Sequence, residues 1–268
     1  MKTMTKPAPH ARAEPTLIIK VRDGVATLTL NRPKQYNAIS SEMLGELSTA
    51  LTKIAADRKV RVVVIAANGL AFSGGHDLRE MMANRNEKFI SGLFDSCANL
   101  MLQIQELPQP VIARVQGIAT AAGCQLVAAC DLAVASTDAK FATSGINLGL
   151  FCATPGVPVS RNIPRKRAFE MLFTGEFIDA ETALAWGLVN RVARPERLDA
   201  EILALVELIK EKPPVVCAEG KHLFYDQIES TLANAYKIAS KAITLNMMGE
   251  DAGEGVGAFI EKRKPNWK

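Results

Sequence analysis

Ten residues, Gln116 to Gln125, constrain the fold more than any other stretch, because they carry no charge and consist almost entirely of small side chains. The apolar run Val111 to Val115 in front of them favours a buried strand, and residues from about Ala121 to Ala129 favour a helix. The first amide N–H groups of a helix have no partner within it, and the helix dipole makes that end electropositive. Small side chains let a ligand carbonyl approach those groups. The stretch therefore predicts either an oxyanion site or, equally well, tight packing of the helix against the strand.

A second stretch offers the same kind of donor. Val60 to Ala66 is apolar enough to favour a buried parallel strand, and it leads into a loop that contains Gly74 and Gly75. Two glycines allow a sharp turn, after which Asp77 is placed to cap a short helix that begins near Leu78. In open α/β folds, ligands bind at the carboxyl edges of the strands. The two loops are therefore expected to hold one oxygen atom between two backbone N–H groups.

Five segments together match one known family: Asn31-Arg32-Pro33 with Asn37-Ala38, Ala71 to Leu78, Gly117 to Gln125, Cys130 to Ala133, and Phe259 to Lys264. In this order they resemble the crotonase (enoyl-CoA hydratase/isomerase) superfamily, and the resemblance covers about residues 15–268. Each segment alone is weak evidence, whereas the set is highly specific. Three segments are similar to a subgroup, the enoyl-CoA hydratase domain-containing proteins, which departs from the active hydratases: Ser73 to Leu78, Ala119 to Ala128, and Gly149 to Gly156.

The resemblance implies an α/β fold whose core is the crotonase (ClpP-like) spiral, a right-handed superhelix of repeated ββα units. It divides the chain into a mobile N-terminal tail (residues 1–15), the spiral core (residues 16–195) and a C-terminal helical region (residues 196–268). In relatives, that region forms trimers, which pair into hexamers. An apolar stripe from Leu232 to Leu245 also needs a partner, so oligomerisation is expected independently of the family, and the resemblance implies a homo-oligomer that is a trimer or a dimer of trimers.

Local patterns predict the elements of the core. Leu17 to Leu30 alternates around Asp23-Gly24, the strongest short hairpin signal. Ser40 or Ser41 is expected to cap a helix that ends near Ala56. The glycine- and proline-rich stretch Ser144 to Pro158 predicts a loop. Further helices are expected at about residues 87–107, 165–173, 179–186 and 195–210, with a short strand at residues 190–193.

By motif match, the two oxyanion N–H groups of the family fall on His76 and Ala122. Relatives use them to hold the thioester carbonyl of an acyl-CoA while it gains enolate charge, and one such donor is typically worth ~10²- to 10³-fold in rate. Alanine at position 122, where relatives have glycine, keeps the backbone donor. The match also predicts contacts to coenzyme A, as part of the substrate, from Ala38, Gly74, His76, Leu78, Arg79, Phe259 and Lys262. Without the other segments, Lys262 to Lys264 would be interpreted as a solvated basic tail.

The chain departs from the active hydratases at the two acid–base positions. The resemblance places the family's two catalytic glutamates at Gln125 and Gly145. Gln125 follows Ala122 by nearly one helical turn, so its side chain is expected to border the carbonyl site. Glutamine carries no titratable proton, and glycine has no side chain. Since a general acid or base typically contributes ~10²- to 10⁴-fold in rate, ordinary hydratase chemistry is expected to be slow, and the double replacement Gln125→Glu, Gly145→Glu is expected to raise it.

Other side chains near the motifs are candidates for the missing proton carrier. The imidazole of His76 could face the ligand or pack outward, and outward packing is favoured. Asp77 is favoured as a helix cap, Glu80 as a solvated side chain, Asp95 as a surface residue and Cys97 as a core residue. The remaining candidates are Ser144, Asn147 and Cys152, and the last of these lacks a visible base.

Composition excludes several classes of function. A net charge of +4 is too mild to indicate a nucleic-acid partner, and no apolar run reaches the ~18 residues of a membrane-spanning helix. Five cysteines form no Cys-x-x-Cys pair, which favours a reducing compartment, cytoplasmic or, for a eukaryotic source, mitochondrial. Three histidines without paired ligands predict no metal site, and no tightly bound cofactor is expected.

Two hypotheses follow. The first is an enoyl-CoA hydratase-type lyase or isomerase of fatty acid and acyl-CoA metabolism, which stabilises an enolate with a non-standard acid–base arrangement. The second is a catalytically silent acyl-CoA-binding or regulatory subunit. Turnover and binding constants measured for the same acyl-CoA thioesters distinguish them, because tight binding without conversion favours the second.

Overall fold

The computed structural model describes residues 14–267, so the predicted tail (residues 1–15) lies outside the described residues except for its last two. Within the described part, strands form two sheets. The larger sheet has the strand order β1-β2-β3-β5-β7-β10, and the smaller has the order β4-β6-β8-β9. The strands are β1 (Leu17–Arg22), β2 (Val25–Leu30), β3 (Val62–Ala67), β4 (Ala71–Ser73), β5 (Val111–Val115), β6 (Ile118–Thr120), β7 (Leu132–Ser136), β8 (Lys140–Ala142), β9 (Ile178–Asp179) and β10 (Arg191–Ala193).

Most strand pairs are parallel, and each sheet ends in one antiparallel pair. β1 pairs antiparallel with β2 around Asp23 and Gly24, both of which have positive φ (50° and 78°). Positive φ at both central residues of a two-residue turn matches the twist of a hairpin, so the predicted hairpin is confirmed. From β2 onward the large sheet is parallel, and in the small sheet β9 alone runs antiparallel to its neighbour.

Helices follow most strands. Their bounds are α1 (Ser41–Ala55), α2 (Leu78–Ala83), α3 (Glu87–Glu106), α4 (Ala122–Ala129), α5 (Ala153–Asn162), α6 (Arg165–Thr174), α7 (Ala180–Trp186), α8 (Leu198–Lys210), α9 (Pro214–Ile228), α10 (Leu232–Met247) and α11 (Glu250–Ile260). Short 3-10 turns lie at Pro33–Gln35, Ser144–Leu148 and Pro195–Arg197. Within residues 14–267, none of these helices combines the length and apolar character that crossing a bilayer requires.

Capping side chains explain where several helices begin. The Ser40 side chain accepts a hydrogen bond from the Met43 amide at the start of α1, and Asn86 accepts one from the Phe89 amide at the start of α3. Asp77 accepts hydrogen bonds from the amides of residues 79 and 80 at the start of α2. Each side chain satisfies amides that the helix itself leaves free, so the predicted positions of these three helices are confirmed.

The predicted loop from Ser144 to Pro158 is wrong in its second half, because α5 begins at Ala153. Pro155 lies in the first helical turn, where its missing N–H is not required. Pro158 lies inside the helix, where a proline costs about 3 kcal/mol. Burial of Pro158 and Val159 where α5 packs along α4 offsets that local preference. α5 therefore forms because of its packing in the folded protein, and the helix propensity of its sequence alone does not predict it.

α8 belongs to the spiral core rather than to the C-terminal helical region in which the sequence placed it. Leu198, Ile202 and Val206 of α8 are buried against Val62, Val64, Ile112 and Val134 on the outer face of the large sheet. A second, larger cluster fills the opposite face, between that sheet, α1, α3 and α4. The helices after Pro213 are more exposed, with few buried residues of their own.

One buried ion pair holds α9 against the core. Lys221 Nζ lies 2.6 Å from Asp131 Oδ2, and the two side chains are 6% and 14% exposed. The same nitrogen donates to the carbonyl oxygens of Ile104 and Gln109, and the Tyr225 hydroxyl donates to Asp131 Oδ1 at 2.7 Å. Every polar group of the pair is therefore hydrogen-bonded, as burial of charge requires.

Replacement of Lys221 by alanine is expected to lower the free energy of unfolding by ~3–5 kcal/mol, because it leaves the Asp131 carboxylate buried without its counter-ion. Urea denaturation measures the loss. Lys166→Ala on the exposed surface of α6 is the matched control and is expected to change stability by less than ~0.5 kcal/mol. Equal stability of the two variants would contradict a structural role for the ion pair.

Candidate active site

The two stretches singled out in the sequence meet at one edge of the small sheet. β4 and β6 are parallel neighbours, so the turn after β4 and the start of α4 after β6 lie side by side. An isolated parallel bridge also joins His76 to Ile39, and the Ile39 amide donates to the Gly75 carbonyl at 2.8 Å. Three segments of chain therefore fix the position of residues 74–77.

Two glycines allow this close approach. A methyl group added to Gly75 would lie 3.0 Å from the Ala121 Cβ and 3.4 Å from the Ala122 nitrogen. A methyl group added to Gly123 would lie 2.3 Å from the Ser73 carbonyl oxygen, closer than van der Waals contact allows. The tight-packing interpretation of this stretch is therefore confirmed, and it places the two loops in direct contact.

The amides of His76 and Ala122 are free at this contact. Neither N–H has a hydrogen-bond acceptor within residues 14–267, whereas the neighbouring amides of Asp77 and Ala121 donate to Ile39 O and Ala142 O. Ala122 is the first residue of α4, so its N–H has no partner within the helix. Ala121, at φ 51° and ψ −119°, adopts a conformation that costs a non-glycine residue about 1–3 kcal/mol.

A cavity of about 270 Å³ opens in front of these amides. His76, Ala121 and Ala122 form one side of it. Apolar side chains dominate the rest of its wall, from α2, α3, the segment that leads into α5 and the first turn of α5: Leu78, Met81, Phe94, Leu148, Leu150, Phe151 and Pro155. The lining thus combines a polar spot of backbone N–H groups with apolar walls, which is the usual character of a small-molecule site.

A groove of about 440 Å³ continues from the cavity and shares Gly74, His76 and Leu78 with it. Ala38 and Arg79 also line this groove, so the structure brings together the five predicted coenzyme A positions of the core. The Arg32 guanidinium lies 2.9 Å from the Asp77 carboxylate at the groove wall. The pKa of Asp77 is lowered, since the hydrogen bonds from Arg32 and from the start of α2 outweigh its partial burial.

Phe259 and Lys262, the two other predicted coenzyme A contacts, line neither the cavity nor the groove of this chain. Phe259 is 84% exposed at the end of α11, and Lys262 lies just beyond that helix with positive φ (56°). The single chain therefore does not bring these residues to the groove.

The His76 ring does not pack outward as the sequence favoured. It lines the cavity and meets the Phe94 ring edge to face, with centroids 5.3 Å apart and planes at 85°. Its Nδ1 lies 3.3 Å from the Ile39 carbonyl oxygen. Burial lowers the pKa of His76, because a charged imidazole is poorly solvated between these side chains.

Gln125 lies beneath the site rather than on the cavity wall. It is 2% exposed, and its Oε1 lies 3.9 Å from the Sγ of Cys97 on α3. This face of α4 packs against α3, so Gln125 is absent from the cavity lining, and its predicted place beside the carbonyl site stays a prediction. Gly145 does line the cavity, and its amide donates to the Cys152 sulfur at 3.3 Å.

The proposed proton carriers at the start of α2 and on α2 and α3 have structural roles or positions away from the cavity. Asp77 caps α2 as predicted. Glu80 is not simply solvated, because its Oε2 accepts a hydrogen bond from the Ser41 amide at the start of α1. Asp95 is exposed, whereas Cys97 is fully buried, which raises its pKa to about 12. The predicted surface and core positions of the last two are confirmed.

The candidates after β8 differ in their access to the cavity. Ser144 and Cys152 line it, whereas Asn147 points toward the Gly175 carbonyl. The Ser144 hydroxyl is 2.7 Å from the Thr120 hydroxyl. Burial raises the pKa of Cys152, so its thiol is neutral at pH 7. No carboxylate lines the cavity among the described residues.

Sequence reasoning did not assign the apolar wall, which includes Met81, Phe94 and Phe151. Met81 follows the Asp77 cap by one turn of α2, and that spacing could have placed it near the Gly-Gly turn. Phe94 and Phe151 come from segments whose path depends on packing, so the sequence contained no comparable signal for them.

Comparison with known proteins agrees with this geometry. The family model for enoyl-CoA hydratase/isomerase matches residues 20–268. The chain belongs to the enoyl-CoA hydratase/isomerase family. Its fold is that of crotonase enoyl-CoA hydratases, an α/β spiral with a C-terminal helical region, as the sequence predicted.

Individual relatives support the same family and the predicted subgroup. The mitochondrial enoyl-CoA hydratase domain-containing protein 3 of Xenopus laevis is 45% identical over 96% of this chain and 88% of its own length. The crystal structure of an enoyl-CoA hydratase from Mycobacterium smegmatis is 56% identical, with a TM-score of 0.93 over 95% of this chain and 99% of that chain. The crystal structure of human enoyl-CoA hydratase domain-containing protein 3 is 42% identical, with a TM-score of 0.92 over 94% and 100%.

Gly75→Ala is expected to lower the free energy of unfolding by ~1–3 kcal/mol, because alanine is strained at a φ of +96° and its methyl group meets Ala121 at 3.0 Å. Gly220→Ala, inside α9 with open space around it, is the control and is expected to be neutral or to stabilise by up to ~1 kcal/mol. Urea denaturation compares the two. A neutral Gly75→Ala would contradict the close contact of the loops.

The double replacement Gln125→Glu, Gly145→Glu is expected to destabilise the protein instead of creating hydratase activity. A Cβ at position 145 would lie 2.6 Å from the Leu150 carbonyl oxygen and 2.8 Å from the Cys152 sulfur, and a glutamate at position 125 would be buried without a cation. A melting curve and a crotonyl-CoA hydration assay test this. A folded double variant that hydrates crotonyl-CoA faster than the parent would support the sequence-based expectation over the structural one.

Proposed function

We propose that this chain binds an acyl-CoA thioester, with the acyl group in the 270 Å³ cavity and coenzyme A along the adjoining groove. The thioester oxygen would accept hydrogen bonds from the amides of His76 and Ala122, which would stabilise the charge of an enolate. The two free amides at one apolar cavity carry the proposal. Membership in the enoyl-CoA hydratase/isomerase family makes an enzyme of the hydratase/isomerase type plausible.

Ordinary hydration is proposed to be slow in this chain. Gln125 and Gly145 take the positions of the usual glutamates, and neither supplies a titratable group to the cavity. Absence of two general acid–base groups that are each typically worth ~10²- to 10⁴-fold would leave binding and enolate stabilisation with little proton transfer. Tight binding of crotonyl-CoA together with a low kcat for its hydration would fit this proposal.

A second candidate function is a catalytically silent acyl-CoA-binding or regulatory subunit. The observation that favours it is the lack of a carboxylate on the cavity wall among the described residues. Assays with saturated, enoyl and hydroxyacyl thioesters, run beside their binding constants, separate the two functions. Conversion of any thioester at an enzymatic rate would support the first candidate, whereas tight binding without conversion would support the second.

A homo-oligomer, as a trimer or a dimer of trimers, is proposed for the C-terminal helices. Leu232, Tyr236 and Ile243 of α10 are 65–75% exposed, and Phe259 and Ile260 of α11 are 84% and 72% exposed. Apolar surface of this kind needs a partner. The same assembly would be the route by which Phe259 and Lys262 of one copy could reach the groove of another.

The proposed compartment is the cytoplasm or, for a eukaryotic source, the mitochondrion. All five cysteines are free, and four of them are buried, as is usual in a reducing compartment. The Xenopus relative is itself described as mitochondrial. A role in fatty acid or acyl-CoA metabolism is proposed from the family, with coenzyme A as part of the substrate and without a tightly bound cofactor.

Ala122→Pro tests the oxyanion site by removing one of its two donors, and a melting curve checks that the variant is folded. Proline is tolerated at the first position of a helix, yet it removes the N–H and places its ring where the carbonyl oxygen would lie. Affinity for butyryl-CoA is expected to fall by about two- to tenfold, since a hydrogen bond contributes ~0.5–1.5 kcal/mol. Isothermal titration calorimetry measures it.

Glu87→Pro, at the first position of α3, is the matched control and is expected to bind butyryl-CoA as the parent does. Free coenzyme A lacks the thioester carbonyl, so its affinity is expected to be the same for Ala122→Pro and the parent. Undiminished binding of butyryl-CoA by a folded Ala122→Pro protein would contradict the proposed function.

A further inference from the structure

The His76 imidazole leaves one buried nitrogen without a partner at the acyl cavity. Three buried side-chain nitrogen or oxygen atoms have no hydrogen bond within residues 14–267: His76 Nε2, Gln109 Oε1 and Gln116 Oε1. His76 alone of these three residues lines the cavity in front of the free amides. An unpaired buried polar atom is costly, and native structures retain few of them. Its presence at a ligand cavity points to a partner that arrives with the ligand.

The hydrogen-bond contact of the other ring nitrogen, Nδ1, determines whether Nε2 carries a proton. Nδ1 faces the Ile39 carbonyl oxygen at 3.3 Å, and a carbonyl oxygen can only accept. Nδ1 therefore carries the proton. Because burial lowers the pKa of His76, the ring is neutral at pH 7 and holds one proton only. Nε2 consequently presents a lone pair and acts as a hydrogen-bond acceptor.

Among residues 14–267, no group donates a hydrogen bond to that lone pair. Phe94 packs edge to face against the ring at 5.3 Å, and Met81 and Leu148 continue the apolar wall. Ser144, a hydroxyl-bearing residue of the same cavity, already shares a hydrogen bond with Thr120. Nε2 is shielded from solvent, so water does not compensate it. Phe94 is half-buried and lines the same cavity, so a ligand in the cavity meets this ring beside His76.

We propose that His76 Nε2 is a specificity-determining acceptor for a hydroxyl group on the acyl chain, so that the site selects hydroxyacyl thioesters over their deoxy analogues. The assignment rests on the proposed function, since the backbone N–H of the same residue would hold the thioester oxygen. His76 would then bind two oxygen atoms of the ligand. Its backbone N–H would donate to the thioester carbonyl oxygen, and its ring Nε2 would accept from the hydroxyl group. This contact also gives the apolar cavity a polar group in place of the two absent glutamates.

The test compares affinities within each protein. Butyryl-CoA, 2-hydroxybutyryl-CoA and 3-hydroxybutyryl-CoA are titrated calorimetrically into the parent and into His76→Phe, which keeps the backbone N–H and an aromatic ring but removes the acceptor. The parent is expected to bind at least one hydroxyacyl thioester about tenfold more tightly than butyryl-CoA. His76→Phe is expected to lose this ratio. His222→Phe, which makes the same replacement at an exposed histidine of α9 outside the cavity, is expected to keep it.

A measurement on the unmodified protein makes the test independent of how the variant folds. In the ¹⁵N NMR spectrum of the histidine-labelled parent, the chemical shift of His76 Nε2 is expected to be that of an unprotonated imidazole nitrogen. It is expected to change when the preferred hydroxyacyl thioester binds and to stay the same when butyryl-CoA binds. Equal affinities for plain and hydroxylated thioesters, or a ratio that His76→Phe preserves, would overturn this assignment alone. Failure of all three thioesters to bind the parent would contradict the proposed function and the assignment with it.

Discussion

The close contact between the turn after β4 and the first residues of α4 is the constraint on which the rest of the site depends. Gly75 meets Ala121 and Ala122 where a methyl group would fit only tightly, and Gly123 lies against the Ser73 carbonyl where a methyl group would not fit. This contact places at one cavity two amides that have no acceptor in the described part of the chain. The strained backbone of Ala121 is tolerated because both sides of the contact are held by buried sheet and helix.

The surroundings of the site are polar on one side of this contact and apolar on the other. Toward α2, the chain offers the cap of Asp77 and the guanidinium of Arg32, which suit the polar groove. Toward α3 and α5, it offers aromatic and aliphatic side chains, which suit an acyl group. Burial keeps the titratable groups of the cavity neutral, since it lowers the pKa of His76 and raises that of Cys152. The site is therefore suited to hold developing negative charge with backbone dipoles and less suited to move protons with charged side chains.

Features controlled by local chemistry could be predicted from the sequence. The Asp23-Gly24 hairpin, the Ser40 cap and the Asp77 cap depend on neighbouring residues, and all three occur where predicted. Features controlled by distant contacts could not. α5 contains two prolines and forms because it packs along α4, and the orientation of Gln125 depends on Cys97 of α3, which lies 28 residues earlier in the chain. The motif match found the loop residues of the site, but the direction of the His76 ring and the apolar wall required the folded structure.

The central claim is that the amides of His76 and Ala122 polarise a thioester carbonyl, and the vibrational frequency of that carbonyl tests it most directly. An infrared difference spectrum of butyryl-CoA carrying ¹³C at the thioester carbonyl, bound at saturation, would isolate this one bond. Two hydrogen bonds from oriented backbone donors in an apolar cavity predict a carbonyl stretch at lower frequency than that of the same thioester in water. A bound thioester whose carbonyl stretch is unshifted, or shifted to higher frequency, would contradict the account.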